Sequence, residues 1–307
     1  MTEPDAIDAV FETVATTAGD VREALADRRA YHEAENPSGE QQLAADVYAD
    51  ELLEDRLLAL DAVESYASEE RESVSVARTD SNGSTGERSD PGERESVVFS
   101  GGGDLHVACD PLDGSSNLES NNAMGTIVGV YDDPLPAPGD ALVAAGYVLY
   151  GPIVTMVTAV DGTVTEYLLE DGEREALTED VTLPEEPTVY GVGGRVPDWP
   201  DDVRRFVDEI EADRLKLRYG GAMVGDVNQV VSYGGIFAYP MLVDRPEGKL
   251  RLQFEGHPIA HVVATAGGAA SDGTTPLLEK TPDELHERTP VFVGSEPLID
   301  RLEASLA

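Results

Sequence analysis

The chain is poor in cysteine, lysine, aromatic side chains and basic charge. Cys109 is the only cysteine among 307 residues, so no disulfide can form within one chain. That fits an intracellular compartment, and a lone thiol in an apolar run reads as a small core residue rather than a nucleophile. Lysine is confined to Lys216, Lys249 and Lys280, and 21 basic residues face 61 acidic ones for a net charge of −40. So large an excess repels polyanions at long range, which argues against nucleic acid and anionic membrane as partners. The acids are spread through segments that also carry apolar positions, the pattern of a folded acidic surface rather than of a disordered tail. Such a surface suits high salt, where the screening length shrinks to roughly 3 Å and self-repulsion fades.

Long hydrophobic runs are also scarce. Met1-Thr-Glu-Pro-Asp lacks the basic-then-apolar order of a secretory leader. Ala141 to Val160 is uncharged and matches a membrane span in length. Gly151-Pro152 interrupts it, however, and Val, Ile, Tyr and Thr dominate both sides, so two buried strands joined by a turn are expected. These readings predict a soluble cytoplasmic protein.

The 41% hydrophobic content suffices for a substantial core in one large or two medium domains. Ile7, Val10, Phe11, Val14, Val21 and Leu25 recur at helical spacing within residues 4 to 34, with a break expected at Gly19. Leu43 to Leu57 marks a second helix. Residues 71 to 103 read as a polar loop or solvated hairpin. Strands are expected from Leu105 to Val160, from Thr163 to Leu169 and from Thr188 to Val192. Helices are expected near Val203 to Ile210, from Ala260 to Ala266 before Gly267-Gly268, and from Pro297 to Leu306. The Pro- and Glu-rich stretch from Thr178 to Pro187 divides a first domain, 1–183, from a second, 184–307. The class is α/β, an α+β layered sandwich with sheets packed between helices.

The segment richest in chemistry is Asp110-Pro-Leu-Asp-Gly-Ser-Ser-Asn117. Asp110 and Asp113 offer hard oxygen ligands of the kind Mg²⁺ prefers. Gly114, Ser115 and Ser116 leave backbone N–H groups open to an anion. A metal site beside a phosphate cradle is what metal-assisted phosphate ester hydrolysis requires. Elsewhere, Glu69 and Glu70 are adjacent carboxylates, expected on an extended strand that points them to opposite faces. Glu255 is expected to end a strand in which Leu250, Leu252 and Phe254 alternate toward a core. Glu40 and Asp46, six residues apart, would lie about 120° apart on one helix, and converge only if Glu40 belongs to the loop carrying Pro37 and Gly39. Arg218, Lys249 and Arg251, near Tyr219 and Tyr239, stand out in so acidic a chain as a local reversal of sign for a phosphorylated substrate.

These motifs together resemble class I fructose-1,6-bisphosphatase, within the inositol-monophosphatase-like group of metal-dependent phosphatases. The resemblance also takes in Gly125-Thr-Ile-Val-Gly-Val-Tyr131, Arg218-Tyr219, Met223-Val224, Asp226-Val227, Tyr233-Gly-Gly-Ile-Phe237, Tyr239-Pro240 and Gly248-Lys-Leu-Arg-Leu252. It implies a site for two to three Mg²⁺ ions per subunit, with Mn²⁺ or Zn²⁺ as alternatives. Glu69, Asp110, Asp113, Glu255, Glu40 and the Leu112 carbonyl would be the ligands. Glu70 and Asp46 would orient and deprotonate the attacking water. Gly114 and Ser115, with Ser116 beside them, would hold the 1-phosphate. Tyr219, Tyr239 and Lys249 would hold the 6-phosphate, and Met223 and Arg251 the sugar and 1-phosphate region. Arg218 would reach a neighbouring subunit's site, implying a homo-oligomer, a dimer or tetramer. The implied reaction is hydrolysis of fructose 1,6-bisphosphate in gluconeogenesis. Sedoheptulose-1,7-bisphosphatase, an inositol-monophosphatase-type enzyme and a non-catalytic sugar-phosphate sensor are the rival readings.

Two departures stand out. Gly193 and Val196 replace two side chains that hydrogen-bond the distal phosphate in the family, with Arg195 as a substitute cation. Asp104-Leu105 stands where the family binds the inhibitor AMP with Lys-Tyr, so insensitivity to AMP is expected.

Overall fold

The computed structural model describes residues 3–37, 41–77 and 103–306, with the backbone alone at 3, 31–35 and 41. In chain order the helices and strands are α1 (Glu3–Ala24), β1 (Tyr31–Glu35), β2 (Gln41–Leu43), α2 (Ala44–Leu57), β3 (Val63–Ser68), β4 (Ser75–Val76), β5 (Leu105–Asp113), α3 (Asn117–Ser120), β6 (Met124–Tyr131), β7 (Leu142–Tyr150), β8 (Val154–Val160), β9 (Thr163–Glu170) and β10 (Glu173–Thr178). There follow β11 (Val189–Val192), α4 (Asp201–Ala212), β12 (Lys216–Leu217), α5 (Met223–Tyr233), β13 (Gly235–Tyr239), β14 (Leu250–Arg251), α6 (His257–Thr265), β15 (Ala269–Ser271), β16 (Arg288–Thr289), β17 (Val291–Gly294) and α7 (Glu296–Leu306).

Two large sheets organise the chain. The first has the order β10-β9-β8-β7-β6-β5-β3-β4, antiparallel except where β3 runs parallel to β5. The second has the order β12-β11-β13-β17-β15, with β11 parallel to both of its neighbours. Side chains alternate between faces along each strand, as the period of two requires. On β6, Ile127 and Tyr131 face one apolar cluster while Val128 and Val130 face another. The outer cluster receives Val10, Phe11 and Val14 of α1 with Leu53 and Leu57 of α2. The inner one receives Val224, Val227 and Val230 of α5 and Ile259, Val262 and Val263 of α6.

The same inner cluster continues into the second sheet through Phe237, Val291 and Val293. On that sheet's other face, Ile236 and Phe292 pack under Val203, Phe206 and Ile210 of α4 and Leu298 and Leu302 of α7. The result is five layers: helices, eight strands, helices, five strands, helices. Because α5 and α6 are covered by a sheet on both sides, they are apolar over most of their surface, and their burial locks the two halves together. The last strand of the first sheet ends at Thr178 and the first strand of the second begins at Val189, so the Pro- and Glu-rich stretch from Thr178 to Pro187 connects them.

Several expectations need correction. Helix α1 runs unbroken through Gly19, which is exposed and has no atom within 4 Å of where a Cβ would sit. An exposed glycine costs helix stability without breaking the ladder when the opposite face is buried. Residues 31–35 form a strand rather than the tail of that helix. The strand around Leu250 is only two residues long, and Leu252–Gly256 forms a π-helical turn leading into α6. Leu252, Gln253, Phe254 and Glu255 are all buried, so no two-faced alternation holds that segment extended. Glu69 and Glu70 lie in a turn just after β3, not within it.

Candidate active site

Parallel strands β3 and β5 end side by side, and their ends deliver the acidic residues to one cleft of about 400 Å³ between the two halves of the chain. Glu69, Asp110 and Glu255 each place a carboxylate oxygen within 4.8 Å of the other two. All three are buried, as is Asp113. Burial holds the carboxyls of Asp110 and Glu255 well above the usual range, and repulsion from Glu69 adds to it. Asp113 is pushed up to about 7 by burial, against the lowering effect of backbone N–H donors from Val224 and Met223. Carboxylates crowded away from water need opposing charge. A set of hard oxygen donors facing an open cleft fits a hard divalent cation.

The local fold explains how each acid is aimed. The Leu112 N–H donates to Asp110 Oδ1 at 3.0 Å, and the Val224 N–H to Asp113 Oδ2 at 2.7 Å. The Arg251 N–H donates to Glu255 Oε2 at 2.5 Å, bending the π-helical turn back over its own start. The Glu69 N–H donates to the Cys109 carbonyl at 3.1 Å, which extends the β3–β5 ladder by one rung. Arg71 pins the far side of this turn, its Nε 2.6 Å from Asp50 Oδ2 and its Nη1 2.8 Å from Glu54 Oε1. Asp50 also accepts from the Tyr66 hydroxyl at 3.1 Å.

Glu70 has a different setting. Gln42 Nε2 donates to its Oε2 at 2.5 Å. Burial raises its carboxyl to about 8, and repulsion from Asp46 adds to this. Asp46 sits in the first turn of α2, where the Leu43 N–H donates to its Oδ2 at 2.7 Å. Both acids line the cleft. A carboxyl with a pKa near 8 beside a cation site is suited to exchanging a proton with water.

The turn after β5 supplies the anion cradle. Gly114 takes φ +71°, and a Cβ there would lie 2.2 Å from the Ala222 Cβ, so glycine is required for both conformation and space. The carbonyls of Gly114, Ser115 and Ser116 accept from Asn117, Leu118 and Glu119. The N–H groups of those same three residues lead the turn and donate to no other described residue.

The same cleft is lined by Tyr219, Tyr239 and Lys249, with Lys249 Nζ 5.9 Å from the centre of the Tyr239 ring. Burial pushes the Tyr219 hydroxyl up to about 12. Met223 and Arg251 also line the cleft. The Arg251 guanidinium, almost wholly buried, lies 3.1 Å from Glu69 and donates to the Lys249 carbonyl at 3.0 Å. It therefore ties Glu69 to the backbone of Lys249. Arg195 and Arg218 are exposed and lie outside the lining of this cleft. Gly193 packs under Tyr239, where a Cβ would come within 2.4 Å of the ring. Glu40 lies outside the described residues. Sequence reasoning gave no role to Gln42, Asn36 or Asp226, all of which line the cleft. No charge reversal or spacing marks the first two, and Asp226 is one acid among 61 acidic residues.

Residues 6–177 match the family description "Fructose-1-6-bisphosphatase, N-terminal domain", and residues 183–307 match "Fructose-1-6-bisphosphatase, C-terminal domain". A Natronomonas pharaonis protein named fructose-1,6-bisphosphatase class 1 is 61% identical over 303 residues, covering 98% of this chain and 99% of that one. A Haloarcula marismortui protein of the same class is 53% identical over 297 residues, covering 97% and 94%. Among solved structures, the holo form of Leishmania major fructose-1,6-bisphosphatase superposes with a TM-score of 0.86 at 27% identity, covering 100% of this chain and 95% of that one.

Proposed function

The chain belongs to the class 1 fructose-1,6-bisphosphatase family, and from that premise we propose that it removes the 1-phosphate of fructose 1,6-bisphosphate with Mg²⁺ held by Glu69, Asp110, Asp113 and Glu255. The observation that carries this reading is the convergence of Glu69, Asp110 and Glu255 within 4.8 Å, in the same cleft as Gly114 to Ser116, whose N–H groups donate to no other described residue. Bound at these carboxylates, together with the Leu112 carbonyl and Glu40, the cations would offset the charge of the phosphate and lower the pKa of nearby water. The N–H groups of Gly114 and Ser115 hold the phosphate oxygens. Glu70, steered by Gln42 and Asp46, takes the proton of the attacking water. The water oxygen bonds to phosphorus as the phosphorus–O1 bond breaks, and O1 takes up a proton, so that the net addition of one water gives fructose 6-phosphate and inorganic phosphate.

Tyr219, Tyr239 and Lys249 hold the 6-phosphate, and Met223 and Arg251 meet the sugar between the two ends. Exposed Arg218 serves a neighbouring subunit in a homo-oligomer. Its neighbours Leu217 and Tyr219 are 60% and 44% exposed, apolar surface suited to a subunit contact. The metal-binding unit is 1–183 and the sugar-phosphate-binding unit 184–307. We assign the reaction to the cytoplasm and to gluconeogenesis. No described helix is long and apolar enough to cross a membrane.

AMP is not an inhibitor on this reading. Asp104 opens the far end of β5, where Glu64, Asp132 and Asp133 also act on His106 and would repel a phosphate. Phosphate release in molar KCl, with Mg²⁺ titrated across fructose 1,6-bisphosphate, sedoheptulose 1,7-bisphosphate and inositol 1-phosphate, tests the assignment. Turnover of the fructose ester without inhibition by micromolar AMP is expected. Preference for another ester, or release that survives removal of divalent cations, counts against it.

A further inference from the structure

We propose that Asn117, Asn122 and Asp226 form a clamp on Gly220 that sets the distance between the two phosphate subsites, and so the length of bisphosphate the cleft accepts. The inference rests on reading Tyr219, Tyr239 and Lys249 as the distal subsite. Gly220 directly follows Tyr219, and both of its backbone polar groups are taken. Its N–H donates to Asp226 Oδ1 at 2.7 Å. Its carbonyl accepts from Asn117 Nδ2 at 2.9 Å and from Asn122 Nδ2 at 2.8 Å. The Asn117 amide is itself fixed by donating to the Ala123 carbonyl at 2.8 Å.

The two asparagines belong to the segment that carries the anion cradle. Asn117 opens α3, and Asn122 precedes β6. Asp226 belongs to the other half, in the first turn of α5, where a carboxylate is favoured by the helix dipole. The clamp therefore bridges the two halves at one residue, through the peptide units on either side of the Gly220 Cα. A few residues on, the Ala222 side chain packs against Gly114, and the Val224 N–H holds Asp113. Between these contacts Gly221 turns at φ +85°. The stretch Gly220–Val224 is thus laid along the cradle and fastened at both ends. Tyr219 hangs from the end that the asparagines hold. Loosening Gly220 frees the distal tyrosine while leaving the carboxylates and the cradle N–H groups in place. These are positioning residues, not groups that touch the reacting atoms.

Asn122 is exposed, so Asn122→Ala removes one donor without opening the core. Kinetics in molar KCl with saturating Mg²⁺ should show KM for fructose 1,6-bisphosphate raised roughly fivefold, the scale of one lost hydrogen bond, with kcat within about twofold. For fructose 1-phosphate, which lacks the distal group, both parameters should stay within about twofold of wild type, because the cradle keeps its hydrogen bonds. Asn117→Ala should raise the bisphosphate KM further. A wild type that prefers the bisphosphate, with variants that keep the full preference or lose both substrates equally, overturns the clamp alone. A wild type that turns over both substrates equally overturns the distal-subsite reading and the clamp with it.

Discussion

Glu69 and Glu70 are neighbours in sequence with separate surroundings, and the proposed function gives them separate tasks. Glu69 faces Asp110, Glu255 and the Arg251 guanidinium, whereas Glu70 faces Gln42 and Asp46. Their substitutions should therefore fail in different ways. Glu70→Gln should lower kcat by about 10²–10⁴, the scale of a lost general base, with little change in the Mg²⁺ midpoint. Glu69→Gln should move that midpoint to higher concentration, and steady-state rates against Mg²⁺ separate the two. The acid cluster also sets a pH dependence. A carboxyl whose pKa is raised in the fold keeps a proton that the unfolded chain has released, so stability falls as pH climbs from its ordinary value to its folded one. For Asp113 that window runs from 3.8 to about 7, and for Glu70 from 4.5 to about 8. In EDTA the melting midpoint should fall between about pH 5 and 8, and saturating Mg²⁺ should remove most of the decline. A midpoint equally pH-dependent with and without Mg²⁺ would show that the cations bind elsewhere.

At the scale of elements, α1 offers a direct test of the helix account. Gly19 is exposed with free space around it, so Gly19→Ala should stabilise the fold by about 0.5–1 kcal/mol, read as a higher urea midpoint. The opposite outcome is expected at Gly114, where alanine meets Ala222 and an unfavourable φ together and should abolish activity. The same two glycines show what sequence could and could not reveal. Gly114 was legible because Asp, Gly and Ser at that spacing have a chemical purpose. Gly19 misled because a glycine in a helical pattern looks like a boundary, and only the burial of Val14, Ala15, Ala18 and Val21 behind it keeps the helix whole. The strands from Leu105 to Val160 were legible because each is apolar and bounded by turn residues. The turn holding Glu255 was not, since total burial of Leu252 to Glu255 erases the alternation that would tell strand from helix. The clamp on Gly220 joins residues 98 and 103 positions apart, a separation at which no local pattern exists.

For the whole molecule, the five layers and the net charge of −40 pull in opposite directions. α5 and α6 bury an apolar layer common to both halves, while the outer surface repels itself at low ionic strength. Several of the described ion pairs recruit scarce arginines to hold acids in place, as Arg174 does with Asp8 and Glu12 and Arg301 with Glu209 and Asp213. Exposed pairs of this kind contribute little each, about 0–1 kcal/mol, so screening by salt decides the balance. Melting midpoints should therefore rise from low to molar KCl, and a flat response would leave the acidic surface without this explanation. The same repulsion would act on a sugar bisphosphate, and in the proposed reading cations and Lys249 are what reverse the field inside the cleft.

The central claim is that the carboxylate end of the cleft breaks the ester while the tyrosine and lysine end holds the second phosphate. Phosphorus NMR of fructose 1,6-bisphosphate, followed with the enzyme and Mg²⁺ in molar KCl, reads this directly. The account predicts loss of the 1-phosphate resonance, growth of inorganic phosphate and an intact 6-phosphate signal. Release of the 6-phosphate, or no release at any Mg²⁺ concentration, would contradict it.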